Sequence, residues 1–272
     1  MSPLLTAMTE AARAAGEGLM QDFTRVRTEL GVTNKIGPDF VSAADLRAEA
    51  TIKSVLTAFA PDYAFHGEEG GRVGGENSDL TWIVDPLDGT TNFLWGTPLF
   101  GSCIALARGD EVLAGVINLP ALGEMLWAEK GGGAFMNGAP IRASIKTRLE
   151  DSVIAVGIPH GGKPGHDLFA KEIGRLTPRT TGVRRTGSAA VDLAYAACGR
   201  WDAYVERIVA AWDIAAGIGI IIEAGGAATD ISGAPLKLHG GNICAGATGL
   251  IAPLSAELRA AAAELDLERA KA

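Results

Sequence analysis

The chain reads as an α/β protein of two subdomains, and three patterns carry that reading. Two helical periodicities come first, short apolar runs divided by glycine follow, and a mixed succession of strand and helix signals completes the sequence. With 272 residues, 47% apolar and 21% charged, the chain can bury a substantial core. The polar, charged stretch Ala143 to Asp151 is the candidate boundary. It divides an N-terminal α+β subdomain, residues 1–145, from a C-terminal α/β subdomain, residues 146–272.

Ser2-Pro3 is a helix start, with serine as N-cap and proline at the first helical position. Leu4, Leu5, Met8, Ala12, Ala15, Leu19 and Met20 then recur at helical spacing. A second helix is expected from Ser42, carrying Leu46, Ile52, Val55, Leu56 and Phe59 until Pro61 stops it. The polar turn Thr33 to Pro38, which includes Lys35, separates the two as a mobile loop. Leu80 to Val84, Gly101 to Ala107, Val112 to Ile117 and Met125 to Ala128 have the length and composition of strands of one sheet. Beyond the boundary, strands are expected at Val153 to Val156, Ala203 to Val205 and Ala227 to Asp230. Helical signals lie at Ala189 to Ala197, at Ile214 to Ala224 and in an Ala-rich, surface amphipathic last helix, Leu254 to Ala272.

Charge and hydropathy exclude several function classes. With 24 basic against 32 acidic residues the net charge is −8, which gives no general attraction to nucleic acid or to an anionic membrane. No apolar run approaches the roughly 18 residues of a spanning helix. Glu10, Arg13 and Glu17 interrupt the N-terminal segment before a signal-type core can form, so a soluble, cytoplasmic protein is expected. Cys103, Cys198 and Cys244 are far apart and odd in number, and read as buried thiols in a reducing compartment.

The chemistry concentrates in Trp82-Ile83-Val84-Asp85-Pro86-Leu87-Asp88-Gly89-Thr90-Thr91-Asn92-Phe93. An apolar strand ends in an acid and Pro86 halts its ladder, so the chain should turn at the carboxyl end of the sheet, where ligands of open α/β sheets bind. Asp85 and Asp88 can then converge. Paired carboxylates on a partly dry surface repel one another unless a cation sits between them, and a carbonyl such as that of Leu87 suits a hard divalent ion. Taken alone, Asp88-Gly89 is an ordinary turn dipeptide, and Glu68-Glu69, between Gly67 and Gly70, an ordinary acidic loop. Asp213 would serve equally as an N-cap, and Ser42 to Asp45 as a capping box. It is the company of these acids that argues for a metal.

The run DPLDGTTNF, preceded by GEEG at a spacing of about 15 residues and followed by WDIAAG, resembles the inositol monophosphatase family of magnesium-dependent, lithium-sensitive phosphatases. The resemblance runs from Lys35 to Gly226, and DGTTNF favours this branch over the bisphosphate nucleotidases of the same superfamily. It implies a layered αβαβα sandwich of the sugar-phosphatase type, with the active site between subdomains, two or three Mg²⁺ and a homodimer. It further implies Glu68, Asp85 and the Leu87 carbonyl as ligands of one magnesium, with Asp85 bridging to a second held by Asp88 and Asp213. Gly89 and Thr90 would cradle phosphate, and Thr90 paired with Asp45 would orient the attacking water, so that Asp45, Glu68 and Thr90 are the catalytic candidates. Glu206, Asp213 and the segment Gly187-Ser188-Ala189 would meet the polyol, while Glu69 is not a principal ligand in the family. Four carboxylates offset the charge of two divalent ions without a His or Cys nucleophile, which is sufficient for phosphoryl transfer.

The expected substrate is therefore a small phosphorylated polyol, myo-inositol monophosphate first. Histidinol phosphate, fructose 1,6-bisphosphate and an adenosine bisphosphate are alternatives, as is a regulatory binding role on the same scaffold. Gly157 to Pro164 falls one residue short of a Walker A loop, because Pro164 replaces the Ser or Thr that would bind magnesium. His66, His160, His166 and His239 show neither zinc spacing nor a nucleophile partner, and most of them read as surface or loop residues. Arg184 and Arg185 could meet an anion, a second subunit or solvent. Trp95 stands where many family members have His, and the Lys35 turn is one residue shorter than the common form.

Overall fold

A computed structural model describes residues 1–30, 38–76, 78–159 and 162–270. Ser2 starts the first helix as expected, its hydroxyl accepting the Leu5 amide at 3.1 Å. In chain order the elements are α1 (Pro3–Leu30), α2 (Pro38–Phe59), β1 (Ala64–Gly67), β2 (Gly71–Val73), β3 (Leu80–Asp88), α3 (Thr90–Leu94), β4 (Gly101–Arg108), β5 (Glu111–Leu119), β6 (Glu124–Glu129), β7 (Ala134–Met136) and β8 (Ala139–Pro140). There follow β9 (Val153–Val156), α4 (His166–Leu176), β10 (Gly182–Arg184), α5 (Ala189–Ala197), β11 (Ala203–Arg207), α6 (Ala211–Glu223), β12 (Ala227–Thr229), β13 (Asn242–Gly246) and α7 (Thr248–Arg269).

The first sheet has eight strands in the order β2-β1-β3-β4-β5-β6-β7-β8, with only β1 and β3 parallel. The second has five, β10-β9-β11-β13-β12, parallel from β10 to β11 and antiparallel beyond. Period-two alternation assigns each face. Val84, Ile104 and Val116 pack on one side against Met8, Leu19, Ile52 and Leu56 of α1 and α2. Ile83, Cys103 and Ile117 point the other way, onto Leu193, Ile214 and Ile218 of α5 and α6. The far side of those helices meets Tyr204 and Ile243 of the second sheet, whose outer face is closed by Leu176 of α4 and Leu250, Leu254 and Leu258 of α7. The layers are therefore αβαβα, with α5 and α6 shared by both sheets. Gly115 allows the close approach of α6, since a Cβ there would lie 2.5 Å from the Ala216 carbonyl oxygen.

Several boundaries differ from those read in the sequence. α2 begins at Pro38, so Ser42 lies inside a helix rather than at its start. α6 begins at Ala211, which makes Asp213 its third residue rather than its cap. α7 begins at Thr248 and carries Pro253 internally, because Leu250, Ile251 and Leu254 are buried against the second sheet. β3 does not stop at Pro86; a bulge between Asp85 and Asp88 absorbs it, and pairing resumes with Asp88 opposite Gly101. His66 is a strand residue, edge-on to Trp212 and stacked at 5.8 Å on His239. Cys103 and Cys244 are buried and Cys198 half-buried, all as free thiols. Lys35 and its turn, and His160, lie outside the described residues. No helix among the described residues is long and apolar enough to cross a membrane.

Candidate active site

Asp85 shares the parity of Ile83 on β3, so its side chain points toward the middle helix layer, opposite Cys103 of β4. It is 1% exposed and accepts the Leu87 amide at 3.0 Å across the bulge. The same bulge presents Asp88, whose carboxylate accepts the Ala189 and Ala190 amides at 3.3 and 2.8 Å and the Ser188 hydroxyl. Ser188 is also the N-cap of α5, accepting the Val191 amide at 3.2 Å. At the start of α6, Asp213 reaches back to accept the Ala210 amide at 2.8 Å. One oxygen from each of Asp85, Asp88 and Asp213 lies within 4.8 Å of the others. Two segments far apart in the sequence, the end of β3 and the start of α6, thus meet at one point.

A second acidic group adjoins it. Asp45 of α2, Glu68 after β1 and Glu69 also have carboxylate oxygens mutually within 4.8 Å. Glu68 is fixed by its backbone amide, which donates a hydrogen bond to the Val84 carbonyl at 3.1 Å and keeps it beside β3. Burial raises the Asp45 carboxyl to about 8, reinforced by Glu68, Glu69 and Glu49. Glu68 is pushed up to about 7 by burial and then by Asp213. Asp88 also rises to about 7 through burial and Asp213, while Asp85 lies well above the usual carboxylate range through burial, Asp88 and Glu68. Such crowding without a countercharge favours the binding of cations.

Glu68, Asp88 and Asp213 open into a cleft of about 440 Å³, within the range of small-molecule sites. Gly89, Thr90, Gly187, Ser188, Ala189 and Glu206 line it as well. Gly89 has φ 84° and initiates α3, and a Cβ there would come within 2.9 Å of the Leu99 carbonyl oxygen. The Thr90 hydroxyl donates to the Leu87 carbonyl at 3.0 Å, and the expected pairing with Asp45 is not made. Asp45 Oδ1 is instead buried with no hydrogen-bond partner. Glu206, raised by burial, accepts the Tyr204 hydroxyl. Arg185 reaches the cleft, Arg184 is exposed on β10, and Trp95 is an exposed residue at the end of α3.

The model of the inositol monophosphatase family matches residues 1–264. The chain belongs to this family. It is 48% identical to an inositol-1-monophosphatase of Mesorhizobium japonicum over 90% of this chain and 92% of that one. It is 38% identical to the Nus factor SuhB of Pseudomonas aeruginosa, covering 91% and 93% of the two chains. Among solved structures, the extragenic suppressor protein suhB of Bartonella henselae superposes with a TM-score of 0.86 at 41% identity, over 94% of this chain and 98% of that chain.

Within this family member the structure adds residues that sequence reasoning missed. Glu49, buried one turn beyond Asp45 on α2, accepts the Glu69 and Gly70 amides at 2.9 and 2.8 Å and so braces the Glu68 loop. Asn92 of α3 donates to the Leu99 and Thr186 carbonyls at 2.7 and 3.0 Å, tying the Gly89 turn to the Gly187 segment. Lys163, from the stretch that only approximates a Walker A loop, lines the cleft and donates to the Ile208 carbonyl at 3.3 Å. The signal for Glu49 was its i+4 spacing from Asp45; Asn92 stands in the run Trp82 to Phe93 and Lys163 in the Walker-like stretch, but neither pattern marks the contact each makes.

Proposed function

We propose that the protein is a magnesium-dependent phosphomonoesterase that hydrolyses myo-inositol monophosphate to inositol and phosphate. The observation that carries this reading is the meeting of Asp85, Asp88 and Asp213 within 4.8 Å, next to Glu68. The donor set fits two or three hard divalent ions, being all oxygen, crowded and short of positive charge, with Asp45 Oδ1 unpartnered at its edge. Glu68, Asp85 and the Leu87 carbonyl would hold one ion, and Asp85, Asp88 and Asp213 a second. Bound there, the ions supply neutralisation of the phosphate and a lowered pKa for water.

The chain's own groups do the positioning. The Gly89 and Thr90 amides grip the phosphate oxygens. Because the Thr90 hydroxyl donates to Leu87, its lone pairs remain free to accept from the attacking water, which Thr90 and Asp45 orient beside Glu68. Glu206 and the Gly187-Ser188-Ala189 turn receive the ring hydroxyls, a carboxylate being the stronger acceptor. No covalent phosphoenzyme is formed. In this reading the division at residues 145 and 146 separates the segment supplying most ligands from the one supplying Asp213 and the polyol contacts. Lithium inhibition, a homodimer and a cytoplasmic setting belong to the same proposal.

Asp85→Asn tests it. Phosphate release should fall at least about a thousandfold, with the melting temperature unchanged or raised because a repelling buried charge is gone. Undiminished turnover would remove the mechanism. Comparing kcat/KM across inositol, histidinol and sugar phosphates assigns the substrate. A regulatory role alongside catalysis is favoured by the relatives called Nus factor SuhB, and predicts that Asp85→Asn leaves that role intact.

A further inference from the structure

Among the described residues, only Asn137 and Ile208 combine a positive φ with a side chain. Asn137, at φ 50°, is at home in a turn, its side chain bonded to the Met125 amide and the Gly123 carbonyl. Ile208, at φ 59°, is not, since a β-branched residue in this region is an outlier that its surroundings must impose. The surroundings do impose it. Arg207 is held by an ion pair at 2.7 Å to the buried Glu172, and Val209 donates its amide to the Gly241 carbonyl at 3.1 Å. Lys163 holds the carbonyl of Ile208 itself. Glycine would satisfy this backbone without strain, so the isoleucine must be explained by what its side chain does.

That side chain is 43% exposed and stands on a border. On one side is the acidic cleft with Glu206 and Asp213; on the other is an apolar crevice with Phe169 and Ile173. A cyclic polyol phosphate presents hydroxyls around its edge and C–H groups on its faces. Glu206 suits the edge, and two residues on, Ile208 is an apolar surface suited to a face. We propose that Ile208 is a specificity-determining residue, an apolar wall of the cleft that packs against the C–H face of a cyclic polyol phosphate and selects it over acyclic esters. The inference rests on the phosphomonoesterase reading given above and deepens it.

The test compares inositol 1-phosphate with glycerol 2-phosphate, using the full chain with Mg²⁺. Ile208→Gly and Ile208→Asn both accept a positive φ and both lack the wall; Ile208→Leu retains it. The first two should raise KM for the inositol ester about tenfold, leaving kcat and the glycerol ester within twofold, while Ile208→Leu keeps the parent's preference. Ile208→Gly should melt no lower than the parent, as strain is relieved. The wall is overturned if both esters change in parallel or neither changes. A parent protein that releases phosphate from neither ester overturns the underlying reading instead, and the wall with it.

Discussion

Glu49 shows how a single side chain can govern a site it does not enter. Its two oxygens take the amides of Glu69 and Gly70, so the loop that delivers Glu68 is pinned to α2 rather than to solvent. Glu49→Ala leaves two amide donors unpaired and frees that loop. Titration calorimetry should then show Mg²⁺ affinity reduced roughly tenfold or more, with faster hydrogen exchange at residues 69 and 70. Equal affinity in parent and variant would mean that the brace is irrelevant to the metal. At this scale the sequence was legible where chemistry was contiguous: Asp85, Leu87, Asp88, Gly89 and Thr90 announce themselves within six residues. Glu49 did not, because a glutamate one turn from an aspartate looks like the solvated face of a helix until burial is known. Ile208 gave no signal either, since φ is not written in a side chain's identity.

At the scale of elements, the bulge in β3 and the short helix after it do the positioning. The bulge lets Asp85 and Asp88 flank Pro86 without ending the sheet, and Gly89 turns the chain into α3 where a Cβ would come within 2.9 Å of the Leu99 carbonyl oxygen and 3.2 Å of the Ser188 Cβ. Gly89→Ala introduces a Cβ at φ 84° and pushes it against a carbonyl. We expect a loss of about 1–3 kcal/mol in denaturant unfolding and a larger proportional loss of activity, because the phosphate cradle moves with the turn. Unfolding and activity curves matching those of the parent would contradict this. Long elements were legible from their period, as in α1 and in β4 to β6. Of the three-residue strands, β12 was expected at Ala227 to Asp230, but β2, β7 and β10 were not, because so short a run seldom displays an alternation, and the starts of α2 and α6 were hidden because tertiary packing extends them beyond their capping signals.

For the whole molecule, the five layers bring α2, β3, α5 and α6 together at one cleft and gather their carboxylates there. Burial and mutual repulsion raise Asp45, Glu68 and Asp88 to about 8, 7 and 7. The metal-free folded protein therefore holds more protons than the unfolded chain between the ordinary carboxylate range, near pH 4, and pH 8. These groups stabilise the fold at acidic pH, and that contribution is lost as pH rises through 7 to 8. In EDTA the melting temperature should fall between pH 5.5 and 8, and added Mg²⁺ should raise it more at pH 8 than at pH 5.5. A metal-induced shift that is equal at both pH values, or larger at the lower one, would refute the electrostatic account. The layer order was anticipated only through the family resemblance, since apolar periodicity assigns faces without saying which element covers them.

Mn²⁺, a close substitute for Mg²⁺ among oxygen ligands, can be located by its anomalous scattering in crystals of the protein. The account predicts a peak enclosed by Asp85, Asp88 and Asp213 and another beside Glu68, with both weakened or lost in Asp85→Asn because Asp85 would serve both ions. Crystals grown in Mn²⁺ with no anomalous density among these four carboxylates would contradict it.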